Sequence, residues 1–385
     1  MKRERFMNVT HLECSRCGTV HAHDRIQTVC SCCGSTLLVR YDLEQVKELL
    51  QQADLRKREG TLWRYAEVLP VEKGNIITLG EGYTPIFQLK KIQNVSLWLK
   101  EESLNPTGTF KARGMAVAIS RARELGITDV VVPSAGNAAA ALSFYSARGG
   151  MKAHVFMPED TPAVIVRECH AAGADVHRVA GTIADAGKKA RQEGMKHSWF
   201  NMATLTEPYR LEGKKTMGYE IAEQFHWDLP DVIIYPTGGG TGLIGIWKAF
   251  EELENLGWIS RKRPRMVSVQ STGCAPIVKA FNEGKKKADP WQNPHTIAAG
   301  LNIPHPFADA LILRVIEESQ GLAVSVSDED ILTAIRELAR GEGIYACPEG
   351  AATYAVFQKL MTSGSIDRDE TTLIINTGSG LMYPY

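Results

Sequence analysis

The chain has 385 residues, with 44 Asp and Glu balanced by 44 Lys and Arg. This balance argues against a large basic surface for nucleic acid and against an acidic, disordered chain. The apolar fraction of 44% is ordinary for a globular protein, and the length indicates two or three domains. We find neither a run of about 18 apolar residues nor a secretory signal, so we expect a cytosolic protein without membrane partners.

Five of the eight cysteines lie between residues 14 and 33, and four of them form two Cys-x-x-Cys-Gly pairs: Cys14, Cys17, Cys30 and Cys33. In a reducing compartment such a cluster is more often metal-binding than disulfide-bonded. Four thiolates suit tetrahedral zinc, which would stabilise a segment too short to bury much core. We predict a zinc-ribbon-like segment over 1–42 with Cys32 pointing outward; the alternative is a loop of reduced thiols without metal.

Residues 43–66 predict a charged helix followed by a glycine-marked break, within a linker over 43–78. The rest of the chain alternates short apolar strands with amphipathic helices. The strands are predicted at 129–134, 153–158, 175–179, 198–202, 231–236, 265–270 and 371–377, and the helices at 136–150, 161–173, 183–194, about 208–225, 241–256, 327–342 and 349–362. Continuous apolar strands separated by helices indicate parallel sheets covered on both faces, so the predicted fold class is α/β.

Four motifs follow predicted strands or open predicted helices, where such folds place their sites. In the first, the turn residues 105–108 precede Phe110 and Lys111, which open a helix. The positive end of a helix dipole lowers the pKa of a lysine there, and a neutral amine suits Schiff-base chemistry. The alternative is an ordinary exposed lysine.

The second motif, residues 133–137, is a small-residue turn between a strand and a helix, whose free N–H groups suit a carboxylate. Its residues are Ser134, Ala135, Gly136 and Asn137; the alternative is a plain helix cap.

The third motif places Gly238, Gly239, Gly240, Thr241 and Gly242 between a strand and a helix, a pattern typical of phosphate binding. The fourth, 376–380, carries the hydroxyls of Thr377 and Ser379, which could bond a ring nitrogen or an anion.

The glycine motif also contains G-x-G-x-x-G, formed by Gly240, Gly242 and Gly245. A dinucleotide site needs an acidic residue at the end of the next strand. That strand ends at Gln270, so the sequence argues against NAD.

Together, these motifs resemble those of the fold type II pyridoxal-phosphate (PLP) enzymes, and most closely the threonine synthases. The resemblance runs from about Leu79 to the C-terminus. It rests on the four motifs together with Gly80-Glu81-Gly82-Tyr83-Thr84-Pro85 and Pro208-Tyr209-Arg210-Leu211-Glu212-Gly213-Lys214-Lys215-Thr216. It implies two parallel-sheet lobes, the smaller over about 112–202 and the larger over about 79–111 plus 203–385, and a homodimer.

The resemblance also implies roles for individual residues. Lys111, preceded by Phe110, would form the internal aldimine with PLP and then act as the base at the substrate α carbon. Asn137 would bond the ring hydroxyl, the 238–242 loop the phosphate, and Thr377 the pyridine nitrogen. Thr84 would contact the substrate, and the turn Ser134–Ala138 would bind its carboxylate. Arg210 would bind its phosphate through the guanidinium group.

The threonine synthase pattern implies conversion of O-phospho-L-homoserine and water to L-threonine and phosphate. The sequence departs from that pattern at four positions, Ala112, Ala138, Leu205 and Glu207, and its glycine loop is closer to that of dehydratases. A serine/threonine dehydratase-like or β-replacing enzyme therefore remains open as the alternative. Retention of Lys111 speaks against a regulatory protein that binds PLP without turnover.

Overall fold

The computed structural model describes residues 7–90 and 95–383, so the first six residues of the predicted ribbon lie outside the described residues. It divides the chain into two compact units. Unit 1 comprises 1–83, 105–107 and 111–216, and unit 2 comprises 84–104, 108–110 and 217–385. The ribbon and the linker thus belong to the same unit as the smaller predicted lobe. Within the described residues, no helix has both the length and the apolar character needed to cross a membrane.

Unit 1 opens with the ribbon, a three-stranded antiparallel sheet with β1 between its two neighbours. Its strands are β1 (Val9–Cys14), β2 (Val20–His21) and β3 (Leu37–Tyr41). The linker holds two short helices, α1 (Leu43–Leu49) and α2 (Gln52–Leu55), followed by a 3-10 segment over Leu62–Val68. The single charged helix predicted before the glycine-marked break is wrong, because two short helices occupy this part of the chain. Leu50 and Gln51 adopt extended backbone conformations, and Leu50 is fully buried there.

The rest of unit 1 is a four-stranded parallel sheet in the order β8-β7-β6-β9. Its strands are β6 (Asp129–Pro133), β7 (Lys152–Pro158), β8 (Asp175–Val179) and β9 (Phe200–Asn201). Its helices are α3 (Lys111–Glu124), α4 (Asn137–Gly149), α5 (Ala163–Ala171), α6 (Ile183–His197) and the start of α7 (Tyr209–Gln224). The apolar residues of α3, α4 and the central strands form one buried core with those of the ribbon.

Unit 2 holds a six-stranded sheet in the order β12-β11-β10-β13-β5-β4, parallel except for the antiparallel edge strand β4. Its strands are β4 (Ile86–Gln88), β5 (Leu97–Glu101), β10 (Val232–Pro236), β11 (Arg265–Ser271), β12 (Leu322–Val326) and β13 (Thr372–Asn376). Its helices are α8 (Thr241–Asn255), α9 (Pro276–Asn282), α10 (Asp309–Glu318), α11 (Asp328–Glu342) and α12 (Pro348–Thr362). The central strands β10 and β13 are buried throughout, which matches their continuous apolar sequence.

The parallel α/β fold class predicted from the sequence is confirmed, and the predicted strands and helices after residue 129 agree with the structure within a few residues. The sequence did not predict α9, α10 and β12. The strand β12 lies at the sheet edge and is only partly buried, so it lacks the apolar run of the central strands.

Candidate active site

The segment before Lys111 is anchored at the carboxyl end of strand β13. The backbone N–H of Phe110 donates to the Thr377 carbonyl at 3.0 Å, and Thr109 pairs with Gly378 in a β-bridge. The Phe110 ring also meets Tyr235 of β10 edge to face, with 6.4 Å between the ring centroids. Lys111 follows Phe110 directly and is the first residue of α3, as predicted.

The glycine loop joins β10 to helix α8 without a side-chain cap. Gly240 occupies the N-cap position with a φ of +77°, a left-handed conformation that favours glycine. The first N–H of this helix that bonds backward belongs to Ile244, which donates to the Gly240 carbonyl at 3.0 Å. The N–H groups of the first turn have no partner within the helix, so they can bind an anion. This donor set fits the phosphate of PLP.

The glycines of this loop also serve packing inside unit 2. A Cβ on Gly238 would lie 2.0 Å from the Gly300 carbonyl oxygen, and one on Gly242 would lie 1.8 Å from the Tyr235 hydroxyl. The sequence argument assigned these glycines to phosphate binding alone. Close packing is a second and independent reason for a glycine at both positions.

Two buried side chains that sequence reasoning did not assign support this end of the sheet. Glu349 accepts the N–H of Gly300 at 2.6 Å and so fixes the segment against which Gly238 packs. Gln270, where a dinucleotide site would need an acid, caps helix α9 by accepting the Ile277 N–H at 2.8 Å. Its amide is therefore committed to the fold. Neither residue stands in a recognisable sequence motif. Glu349 bonds a residue that is distant in the sequence, and Gln270 bonds a helix that the sequence did not predict.

Thr377 follows β13 and is buried. Its hydroxyl lies 3.5 Å from the thiol of Cys347, the residue that caps helix α12. Burial raises the pKa of the Cys347 thiol well above its ordinary value, so the thiol is neutral at physiological pH. Thr377 thus shares its surroundings with a neutral sulfur.

In unit 1, the predicted carboxylate-binding turn follows β6 and opens α4. Ser134 donates its N–H to the Phe156 carbonyl at 2.9 Å, and its hydroxyl accepts the Gly136 N–H at 3.3 Å. No side chain caps the helix, which begins at Asn137, and the turn is partly exposed. The first-turn N–H groups therefore suit an anionic group. Helix α4 packs against α3, the helix that begins at Lys111.

Glu81 belongs to a motif that sequence analysis singled out, but it had no assigned role there. Its carboxylate is fully buried and accepts the Trp63 indole N–H at 2.8 Å, the Leu79 N–H at 2.9 Å and the Tyr145 hydroxyl at 2.5 Å. Tyr145 lies on α4, so Glu81 ties the segment around residues 79–82 to the helix that begins at Asn137. Burial, followed by the nearby Glu81 charge, raises the pKa of Tyr145.

Arg210 is buried in the first turn of α7, with only 3% of its surface exposed. Its guanidinium donates to the Met202 carbonyl at 2.5 Å, and its Nε has no hydrogen-bond partner among the described residues. Glu207 caps the helix by accepting the N–H groups of Tyr209 at 2.6 Å and Arg210 at 3.1 Å. Burial raises the pKa of Glu207 to about 7 and lowers that of Arg210.

Thr84 lies in unit 2, and its hydroxyl donates to Glu102 at 2.6 Å. Its carbonyl accepts the ammonium of Lys100, which forms a fully buried ion pair with Glu220 at 3.0 Å. The predicted substrate contact of Thr84 stays a prediction. In this structure its polar groups bond to other residues of unit 2.

The four predicted cysteine ligands converge in the ribbon. Their sulfurs lie within 4.8 Å of one another, with 3.4 Å between Cys14 and Cys33 and 3.7 Å between Cys17 and Cys30. Zinc–sulfur bonds of about 2.3 Å place tetrahedral sulfurs about 3.8 Å apart, close to these distances. The N–H groups of Cys17 and Cys32 face the sulfurs of Cys14 and Cys30 at 3.4 Å, so each Cys-x-x-Cys pair directs backbone N–H groups at a sulfur. Cys32 is exposed, as expected.

Comparison with known proteins adds relatives of nearly full length. Threonine synthase of Methanocaldococcus jannaschii is 40% identical over 377 residues, covering 96% of this chain and 92% of that protein. Threonine synthase of Methanosarcina acetivorans is 38% identical over 379 residues, covering 97% and 92%.

Among solved structures, maize serine racemase matches with a TM-score of 0.67 at 22% identity, covering 77% of this chain and 88% of that one. The threonine deaminase isoform 2 of Solanum lycopersicum gives 0.66 at 23%, covering 77% and 83%. These likenesses support the fold.

The family model described as pyridoxal-phosphate dependent enzyme matches residues 77–378, a range that includes Lys111, the glycine loop and Thr377. The chain therefore belongs to the pyridoxal-phosphate dependent enzymes, and it is a lyase similar to threonine synthases.

Proposed function

We propose that the protein is a threonine synthase, converting O-phospho-L-homoserine and water to L-threonine and phosphate. The observation that carries this proposal is the 40% identity to a threonine synthase over 96% of the chain. The similarity to serine racemase and threonine deaminase stands at 22–23% and concerns the fold only. Relatives that match almost end to end carry more weight for the substrate than a shared fold does.

The chain's own residues supply attachment, orientation and proton transfer in this proposal. Bound PLP supplies an aldehyde that bonds amines and a ring that withdraws electrons from the substrate α carbon. Lys111 is the residue that bonds the cofactor, and its amine then moves protons at the α and β carbons. The N–H groups that open α8 bind the cofactor phosphate, and the Thr377 hydroxyl bonds the ring nitrogen without protonating it.

The remaining assignments concern the ring hydroxyl and the substrate. Asn137 bonds the ring hydroxyl, and the Ser134–Ala138 turn binds the substrate carboxylate through N–H groups at the start of α4. Thr84 contacts the substrate. Arg210 binds the substrate phosphate, and the support for this role is its Nε, which has no hydrogen-bond partner among the described residues. An unpaired buried guanidinium nitrogen is costly unless an anion completes it.

The alternative is a dehydratase-like or β-replacing enzyme, and the departures from the threonine synthase pattern favour it. Ala112, Leu205 and Glu207 are buried, and two of them have structural partners. The Leu205 carbonyl accepts the hydroxyl of Thr36 at 3.0 Å, and Glu207 caps α7. The Glu207 contact uses the side chain, so the folding of unit 1 is one reason for a carboxylate at this position, whereas the Leu205 contact is made by the backbone carbonyl and does not depend on the side chain.

The substrate test offers the enzyme O-phosphohomoserine, O-phosphoserine, threonine and serine separately and measures phosphate, threonine and 2-oxo acid. Equal amounts of phosphate and threonine from O-phosphohomoserine alone would support the proposal. Release of 2-oxo acid from threonine or serine would favour the alternative. Lys111→Ala should abolish both the visible absorbance of bound PLP and turnover, whereas the exposed Lys286→Ala should keep both. Loss of neither in Lys111→Ala would refute the assigned attachment.

We further propose that Cys14, Cys17, Cys30 and Cys33 bind one structural zinc ion. The support is the near-tetrahedral sulfur spacing and the backbone N–H groups directed at the sulfurs. Elemental analysis should find one zinc fewer per chain in Cys14→Ser than in the wild type, while the exposed Cys32→Ser should match the wild type. Equal zinc in Cys14→Ser and the wild type would contradict the proposal. The homodimer and the cytosolic location remain predictions; light scattering tests the first.

A further inference from the structure

A second cluster of metal-ligand side chains lies on the sheet of unit 1. His154 of β7 pairs with Asp175 of β8 in the parallel ladder, and His177 lies two residues further along β8. Residues paired side by side, or two apart on a strand, point to the same face of a sheet. The ladder therefore brings two imidazoles and a carboxylate together from positions more than twenty residues apart in the chain.

The distances within this cluster match those of a metal site. Asp175 Oδ2 lies 3.4 Å from His154 Nδ1 and 3.4 Å from His177 Nε2, and the three atoms lie within 4.8 Å of one another. Metal bonds of about 2.0–2.1 Å to nitrogen and oxygen place neighbouring tetrahedral ligands about 3.3–3.4 Å apart. Two of the three separations thus equal the edge of such a tetrahedron.

The two imidazole nitrogens that face Asp175 make no hydrogen bond of good geometry with any described residue. His154 is 2% exposed, and its Nε2 lies 3.0 Å from Asp129 Oδ1. That contact assigns the ring proton to Nε2 and leaves Nδ1 with a lone pair directed into the cluster. Neither His154 Nδ1 nor His177 Nε2 has a hydrogen-bond partner within the described part of the chain. Two acceptor nitrogens directed at one carboxylate are unfavourable unless a proton or a metal cation lies between them.

Asp129 completes an arrangement known from metal sites in general. A histidine that binds a metal through one nitrogen commonly donates its other N–H to a carboxylate, which fixes the ring and strengthens the ligand. His154 stands in this relation to Asp129. Trp199 stacks on the His154 ring at 3.5 Å, and Phe156 stacks on His177 at 4.3 Å, so aromatic rings cover both imidazoles.

The cluster has an entry path from the surface and shares no residue with the Ser134 turn. Asp175 is 45% exposed at its side chain and His177 34%, and His177 borders a surface pocket also lined by Glu193. A water from this pocket can fill a fourth position. Asp129 and Asp175 are the first residues of β6 and β8, whereas the Ser134 turn follows the carboxyl end of β6. His177, however, is level with Phe156 and Pro133, so the cluster extends to the carboxyl end of β6 and lies two strands away from the turn in the order β8-β7-β6.

We propose that His154, Asp175 and His177 bind one zinc ion, with Asp129 orienting His154. Two imidazoles and one carboxylate form a ligand set that suits zinc with an open fourth position. The ion joins β7 to β8 and, through Asp129, to β6, so it stabilises the pairing of these three strands. The proposal does not depend on the substrate of the enzyme or on zinc in the ribbon.

The test measures zinc per chain in full-length, PLP-loaded protein equilibrated with a fixed concentration of free zinc and then desalted. Asp175→Asn and His177→Phe should each hold one zinc fewer than the wild type, and Asp129→Asn should bind that ion about 10- to 100-fold more weakly. His170→Gln, an exposed histidine of α5, is the control and should match the wild type. All these proteins keep the ribbon cysteines, so the difference isolates the proposed site.

Cobalt substitution gives a second readout in the Cys14→Ser background. Absorption bands of cobalt bound by nitrogen and oxygen should appear there and vanish when Asp175→Asn is added. Equal zinc content in the wild type, Asp175→Asn and His177→Phe would overturn the proposal and leave a hydrogen-bonded histidine–carboxylate cluster. Zinc loss of the same size in His170→Gln would also overturn it, because it would indicate adventitious surface binding. Asp175→Asn is nearly isosteric and partly exposed, so it tests the site even if His177→Phe fails to fold.

Discussion

Helices α3 and α7 approach so closely at Gly213 that this glycine provides a sharp test of the structure. A Cβ at Gly213 would lie 2.0 Å from the carbonyl oxygen of Arg113 and 2.8 Å from the Cα of Gly114. Cβ atoms essentially never lie within 3.0 Å of such atoms, so Gly213→Ala must separate the two helices by about 1 Å. The obstacle is backbone and cannot rotate away. Lys111 lies less than one turn from the contact, at the start of α3.

Two effects of Gly213→Ala oppose each other. Alanine is better than glycine in a helix interior by about 1 kcal/mol, whereas forcing atoms into a packed contact costs about 1–3 kcal/mol or more. We expect a net loss in the free energy of unfolding of about 1–2 kcal/mol, measured by urea denaturation. Because a displacement of about 1 Å at a catalytic group can reduce the rate about 100-fold, kcat should fall by about that factor.

Gly187→Ala is the matched control. Gly187 lies inside α6 of the same unit, and its Cβ would meet only ordinary contacts at 3.6 Å and beyond. This variant should be unchanged or more stable by up to about 1 kcal/mol, with normal kcat. If Gly213→Ala were as stable and as active as Gly187→Ala, the close packing of α3 on α7 would be refuted.

Three further variants test other parts of the structure. Glu220→Gln removes the carboxylate charge paired with the buried Lys100 ammonium and should cost about 3–5 kcal/mol in urea denaturation, because a buried ion pair is broken while the ammonium keeps its charge. Glu207 has a pKa raised to about 7 by burial, so its contribution to stability is full below its unfolded pKa of about 4.5 and is lost as pH rises through 7. Glu207→Gln should remove this dependence, which is on the order of 3 kcal/mol. Gly242→Ala directs a Cβ at the Tyr235 hydroxyl and should raise the Kd for PLP at least about tenfold in a fluorescence titration, as the cofactor-binding loop shifts.

Each of these variants has its own control or opposing outcome. The exposed pair Lys286–Glu317 is the counterpart of the buried pair, and Glu317→Gln should cost less than about 1 kcal/mol. Parallel stability curves for wild type and Glu207→Gln between pH 5 and pH 7 would disprove the raised pKa. Unchanged PLP affinity in Gly242→Ala would show that the loop absorbs the extra methyl group.

The fold class followed from the sequence because buried parallel strands have an unmistakable local pattern. The sequences of β10 and β13 are continuously apolar, and in the structure both strands are buried throughout. The same reasoning failed where burial interrupts a helix, as at Leu50, whose side chain is fully buried on an extended backbone. Charge and periodicity predicted one helix there. A local sequence pattern contains no information about which residue will be buried in the neighbouring core.

The candidate site divides in the same way. Turn and helix-start chemistry marked Lys111, Asn137, the glycine loop and Thr377, and each stands at the strand end or helix start that the sequence predicted. The roles of Glu81 and Glu349 were not predicted. Each bonds a partner that is 49 or more residues away, Tyr145 for the first and Gly300 for the second. Such pairings depend on the fold.

The sequence by itself determined the cofactor family, the cysteine ribbon and the order of most strands and helices, because each of these depends on a motif or pattern of residues that are close together in the chain. Tertiary structure alone decided why Gly213 and Gly242 must be glycine, and it alone brought His154 beside Asp175 and His177. Helix contacts and strand register join residues with no shared motif. Their chemistry exists only once the hydrophobic cores have placed those helices and strands together.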